Sequence, residues 1–143
     1  MLKIAIVGTG IIGMSHINAI SKLDDCELVA LCDINEEKVK ALAEEYNVPY
    51  VLDYKEIPEK IDCDAVILNL PHGIHCEVTV FFLDHGKHVL VEKPMANSVK
   101  ECEEMLAAAN RNGKKLAIAH IQTKASLHTK TLYSKSARIS YAY

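Results

Sequence analysis

The sequence predicts a doubly wound α/β domain, a parallel sheet of about six strands with helices on both faces. Three observations predict it. Apolar runs of strand length alternate with segments of helical periodicity between Lys3 and His120. The first run, Ile4 to Val7, breaks into Gly8-Thr9-Gly10-Ile11-Ile12-Gly13 and continues as a helical pattern. Asp33 follows 20 residues after Gly13, at the end of the second apolar run.

A continuous apolar run such as Ile4–Val7 suits a strand buried on both faces. Each glycine after it has a mechanical role. Gly8 permits a tight turn off the strand, Gly10 lets the backbone approach a pyrophosphate, and Gly13 lets the helix lie close against the strand. The free N–H groups and positive dipole end of the helix then face the phosphates. With a strand before it, a helix after it and an acid at the expected distance, the pattern reads as a dinucleotide site.

The helix carries Ile12, Ile17, Ile20 and Leu23 at helical spacing and ends at Asp24-Asp25. His16, near its start, lies either beside the ligand or on the surface. Glu27 to Cys32 is the second strand, with Cys32 as a buried small hydrophobe. Asp33 stands at its carboxyl end, where such sheets place their ligands. A carboxylate there accepts hydrogen bonds from the adenosine ribose and repels a 2′-phosphate. Ile34 offers no cation in its place, so NAD is expected rather than NADP.

A second helix spans Asn35 to Tyr46, with Asn35 as N-cap, Glu36 and Glu37 in the first turn, and Asn47 and Pro49 as the stop. Tyr50 to Leu52 is a short strand, and Tyr54 to Ile61 an irregular helical turn interrupted by Pro58. Asp64 to Leu70 is the fourth strand. Asn69-Leu70-Pro71-His72-Gly73-Ile74-His75 then turns the chain sharply at the ligand edge. His75 opens a helix with Val78, Phe81 and Phe82 inward and a stop at Gly86. His72 and His75 suit either metal ligation or helix capping, but three-residue spacing without a third ligand argues against a metal.

Lys87 to Val91 is the fifth strand and runs into Glu92-Lys93-Pro94. Lys93 there could exchange a proton with a substrate oxygen during hydride transfer, or form only a surface ion pair. Ser98 with Glu101 makes a capping box for a helix with Met105, Leu106 and Ala109 inward and Gly113 as its stop. Lys115 to His120 is the sixth strand.

At 143 residues, half of them hydrophobic, the chain suits one domain with a sizeable core. No apolar run reaches membrane-spanning length, and no basic stripe in the main body suggests nucleic acid. The start, Met1-Leu-Lys-Ile, enters directly into a strand, so no signal peptide is expected. Five cysteines without CxxC spacing suit reduced thiols in the cytoplasm. All 19 acidic residues precede Gln122, whereas the stretch from Thr123 holds four basic residues and no acid.

These residues resemble the glucose–fructose oxidoreductase / inositol dehydrogenase / MocA family of nicotinamide-dependent oxidoreductases. The resemblance runs from Lys3 to Gln122, and its most specific part is Gly86-Lys-His-Val-Leu-Val-Glu-Lys-Pro94. Gly8, Gly10, Gly13, Asp33, Pro71 and His75 match the other landmarks. The family's T-P-N is replaced here by Leu70, Pro71 and His72, which suggests a subgroup. The resemblance implies that Lys93 is the catalytic lysine beside the nicotinamide, that Glu92 and Pro94 shape its turn, and that Asn69 to His75 contact the cofactor. It implies substrates among sugars, cyclitols and related secondary alcohols or ketones.

The resemblance also implies a second, C-terminal substrate domain, which this sequence is expected to lack. Residues 1–122 are expected to form the dinucleotide-binding domain. Residues 123–143, rich in Ser, Thr, Lys and Tyr, read as an atypical tail, arising from a lost reading frame or lacking fixed structure. On this reading the chain alone is inactive, a cofactor half whose sheet edge is open to homo-oligomer formation. The alternative is a nucleotide-binding module without catalysis.

Overall fold

The computed structural model describes residues 1–119. Its elements are β1 (Leu2–Val7), α1 (Ile11–Ile20), β2 (Cys26–Cys32), α2 (Glu36–Tyr46), β3 (Tyr50–Val51) and α3 (Ile57–Lys60). They continue with β4 (Ala65–Leu68), α4 (His75–Asp84), β5 (His88–Glu92), α5 (Val99–Arg111) and β6 (Leu116–Ala119). All six strands are parallel and lie in the order β3-β2-β1-β4-β5-β6. The order reverses between β1 and β4, which opens a crevice at their carboxyl ends.

Both faces of the sheet are apolar because each strand is apolar at every position of its centre. On one face, Ile4 and Ile6 of β1 share a core with Ile17 and Ile20 of α1 and Val39 of α2. On the other, Ala5 and Val7 join Ile57, Val78, Phe82 and Met105 from α3, α4 and α5. Cys32 is buried in this second core, as its sequence environment predicts. Phe82 is fully buried, while Phe81 is only partly so and stacks edge-on against Tyr54 at 5.3 Å.

The helix ends follow the local signals. Asn35 Oδ1 accepts from the Lys38 amide, and Asn47 closes α2 in the left-handed conformation at φ 52°. Ser98 Oγ accepts from the Glu101 amide, but the Glu101 carboxylate reaches the amide of Asn97 rather than that of Ser98. The capping box is therefore displaced by one residue.

Four expectations are corrected. Pro58 does not interrupt a helix; it lies in the first turn of α3, where its missing N–H costs nothing, after a 3₁₀ turn at Tyr54–Glu56. β4 ends at Leu68, so Asn69 and Leu70 belong to the turn. Ile12 is not on the inward stripe of α1 but faces the crevice. His16 is not a surface residue, being only 8% exposed. The stripe is Gly13, His16, Ile17 and Ile20. The expected domain limit at 122 and the tail 123–143 lie outside the described residues.

Candidate functional site

β1 delivers the chain to the crevice, and the glycine turn reverses it into α1. The three glycines have different surroundings. Gly8 holds φ +90°, and a Cβ there would meet the Asn69 carbonyl oxygen at 2.3 Å. A Cβ on Gly13 would meet the Gly8 carbonyl oxygen at 2.2 Å, so only glycine lets α1 seat against the turn. Gly10 differs: its φ is −60°, and a Cβ would meet nothing within 4 Å. Nothing among the described residues requires glycine at position 10. Gly10 is also the N-cap of α1 with no side-chain cap, leaving first-turn N–H groups at Ile11, Ile12 and Gly13 to point out of the helix.

Asp33 is tied into this turn. Its Oδ2 accepts from the amide of Thr9 at 2.8 Å and from the Thr9 hydroxyl at 2.7 Å, and its Oδ1 accepts from the Asn35 amide at 3.0 Å. Burial pushes the Asp33 carboxyl up, but these three bonds, with Lys38 nearby, outweigh it and hold the group below the ordinary aspartate range. Thr9 is fully buried as the link between turn and carboxylate. Of the roughly four acceptor positions of a carboxylate, one on Oδ1 stays available. Ile34 beside it is 92% exposed.

Across the crevice stands the turn after β4. The Asn69 amide group donates from Nδ2 to the Gly8 carbonyl at 3.2 Å. That acceptor fixes the amide's orientation, and among the described residues the buried Oδ1 has no partner. Pro71 and His72 are exposed on the rim, and the His72 carbonyl accepts from Asn97 Nδ2 at 3.3 Å. His75 lies fully buried beneath them. Its Nδ1 is 2.9 Å from the Pro94 carbonyl oxygen and its Nε2 2.7 Å from that of Leu70. The ring thus ties the turn after β4 to the turn after β5. With both nitrogens so engaged, it reaches the crevice only through the carbonyls it holds.

Glu92, at the end of β5, is 8% exposed, and the alternative of a surface ion pair with Lys93 is not what forms. Glu92 Oε1 accepts from His16 Nε2 at 3.0 Å, and Oε2 accepts from the Lys93 amide at 3.2 Å. Lys93 and Pro94 are exposed and joined by a cis peptide bond. Ile12, Asn69, Leu70, His72, Glu92 and Lys93 line a cleft of about 210 Å³. A larger hollow of about 440 Å³ lies by Asn47–Tyr50, where β3 begins, at the end of the sheet away from the glycine turn.

The fold therefore gathers the predicted residues Gly8, Thr9, Gly10, Ile11, Ile12, Gly13, Asp33, Asn69, Leu70, Pro71, His72, Glu92, Lys93 and Pro94 around one edge, with His75 underneath. For His16, left in the sequence between the ligand and the surface, what sequence reasoning missed is the buried bond to Glu92. The signal of burial was present in the spacing Gly13, His16, Ile17, Ile20, which places His16 on the buried face of α1.

Comparison with known proteins gives the family and the fold. Residues 2–120 match the family model described as oxidoreductase family, NAD-binding Rossmann fold. The chain is 31% identical over 118 residues to an inositol 2-dehydrogenase of Salmonella typhimurium, covering 80% of this chain and 35% of that protein. It is 36% identical over 114 residues to the scyllo-inositol 2-dehydrogenase (NADP(+)) IolU of Bacillus subtilis, covering 79% and 35%. Among solved structures, the WlbA dehydrogenase of Bordetella pertussis, in complex with NADH and UDP-GlcNAcA, superposes with a TM-score of 0.79 at 29% identity, covering 82% of this chain and 34% of that one. The scyllo-inositol dehydrogenase of Lactobacillus casei, with bound NAD(H) and scyllo-inositol, gives 0.78 at 26% identity, covering 83% and 36%. The chain spans about a third of the length of these relatives. It belongs to the Gfo/Idh/MocA oxidoreductase family, and its residues 2–120 correspond to that family's NAD-binding Rossmann fold.

Proposed function

We propose that this chain is the cofactor half of an NAD-dependent oxidoreductase acting on a sugar, cyclitol or similar secondary alcohol or ketone. The observation that carries the reading is the open space at Gly10. Gly8 and Gly13 are glycines for the protein's own packing, whereas the room above Gly10 is what a pyrophosphate needs to approach the N–H groups of α1. The orphaned Asn69 Oδ1 and the remaining acceptor position on Asp33 Oδ1 suit the donors of a nucleotide.

When bound, the nicotinamide supplies or accepts the hydride. The protein's residues do the rest. Ile11, Ile12 and Gly13 offer N–H groups to the phosphates, and Asp33 accepts from the adenosine ribose while repelling a 2′-phosphate. Lys93, exposed at the cleft, takes the proton from the substrate hydroxyl as its free amine while hydride leaves, or gives a proton to a ketone oxygen as its ammonium. The sugar and cyclitol class rests on the named relatives. NAD over NADP rests on Asp33 and Ile34, against an NADP-dependent relative in IolU.

A fluorescence titration of the purified chain with NADH, repeated with NADPH, tests the reading. Saturable NADH binding, weaker with NADPH and lost in Asp33→Ala, is expected. NADPH binding as tight as NADH would refute the preference, and no binding of either would refute the cofactor half.

A further inference from the structure

We infer that His16 is a positioning residue for Lys93, acting through the Glu92 carboxylate. This rests on the proposed role of Lys93 beside the cofactor. His16 and Glu92 come from α1 and β5, 76 residues apart, and both side chains are 10% exposed. One carboxylate oxygen accepts a hydrogen bond from the His16 ring, and the other accepts one from the Lys93 amide. The helix that opens at the phosphate turn is thereby joined, through two hydrogen bonds, to the backbone of the lysine on the opposite wall.

The arrangement also decides where Glu92 does not go. With both oxygens directed to His16 and to the main chain, the carboxylate meets the amide of Lys93 while the Lys93 side chain stays exposed at the cleft. Stability alone gives little reason for such a pair. Removing two polar groups from water is costly, and apolar replacements of similar volume are often as stable. A link that fixes the lysine's backbone relative to the cofactor helix accounts for it.

The test reads Lys93 itself. Trace acylation with acetic anhydride, followed by mass spectrometry of the Lys93 peptide, gives its reactivity with and without saturating NADH. In the wild-type chain, NADH is expected to protect Lys93. His16→Leu is expected to lose about tenfold of that protection, the factor set by one charge-assisted hydrogen bond. His16→Gln, which restores an N–H donor, is expected to recover most of it. A purely structural role would lower the melting temperature of His16→Leu and leave protection at saturation unchanged.

Undiminished protection in folded His16→Leu overturns the inference alone, as does a His16→Gln no better than His16→Leu. Absence of protection in the wild type overturns the proposed function together with the inference. If His16→Leu does not fold, Glu92→Met takes its place, a side chain of similar length with no oxygen to accept either bond. The same loss of protection is expected, and wild-type protection in that variant overturns the inference.

Discussion

Substituting alanine for each of the three turn glycines in turn should separate stability from cofactor affinity. At Gly13 the new Cβ would lie 2.2 Å from a backbone oxygen, which cannot rotate away, so α1 must shift off the turn. Such overpacking costs about 1–3 kcal/mol or more. At Gly8 a comparable clash of 2.3 Å is added to a φ of +90° that alanine rarely adopts. At Gly10 neither term exists, and stability should change by no more than about 1 kcal/mol, the range for Gly against Ala at an N-cap or in an allowed conformation. Its methyl group would fill the space assigned to the pyrophosphate. Losing one charge-assisted hydrogen bond at about 1.5–3 kcal/mol corresponds to a rise in Kd of about one to two orders of magnitude. Urea unfolding and NADH titration of the same preparations give both numbers. A Gly10→Ala variant that binds NADH as tightly as the wild type would refute the assignment of that space.

Three further substitutions have expected outcomes. Asp33 has a depressed carboxyl pKa in the folded chain, so its hydrogen bonds contribute stability that is present above the unfolded value of about 3.9 and is lost as pH falls through the lower folded value. Asp33→Asn should therefore destabilise the chain at pH 7 and lose that effect towards pH 2, as read by urea midpoints; a difference independent of pH would contradict it. His75→Leu keeps the volume but leaves one buried carbonyl, that of Leu70 or of Pro94, without the ring N–H it accepts, and should cost about 1–3 kcal/mol in urea unfolding. Tyr54→Phe removes only an exposed bond to Glu77 and should cost under about 0.5 kcal/mol; equal losses would refute this ranking.

Much of this molecule was legible in its sequence because the signals are local. The turn Gly8–Gly13, the caps Asn35 and Ser98, the stops Asn47, Gly86 and Gly113, and the apolar runs are each set by neighbours a few residues away. Where reading failed, a distant partner decided. His16 looks like a polar residue at a helix start until Glu92 arrives from β5 to accept its hydrogen bond. Glu92 looks like one half of an ion pair with Lys93, yet the bonds it makes are to His16 and to the backbone. Ile12 fits the apolar spacing of α1, but the first turn of that helix stands over the crevice, so the side chain faces the cleft. His75 shows its spacing from His72 in sequence. Its use, spanning two carbonyls from two turns, depends on how β4 and β5 end side by side.

The central claim is that NAD binds at the carboxyl edge between β1 and β4 with its nicotinamide end near Lys93. Backbone amide chemical shifts of the ¹⁵N-labelled chain, followed through an NADH titration, test it most directly. The account predicts saturable shifts concentrated at Thr9 to Gly13, Asp33 to Asn35, Asn69 to His72 and Lys93. Shifts clustered instead around Asn47 to Tyr50, or none at saturating NADH, would contradict it.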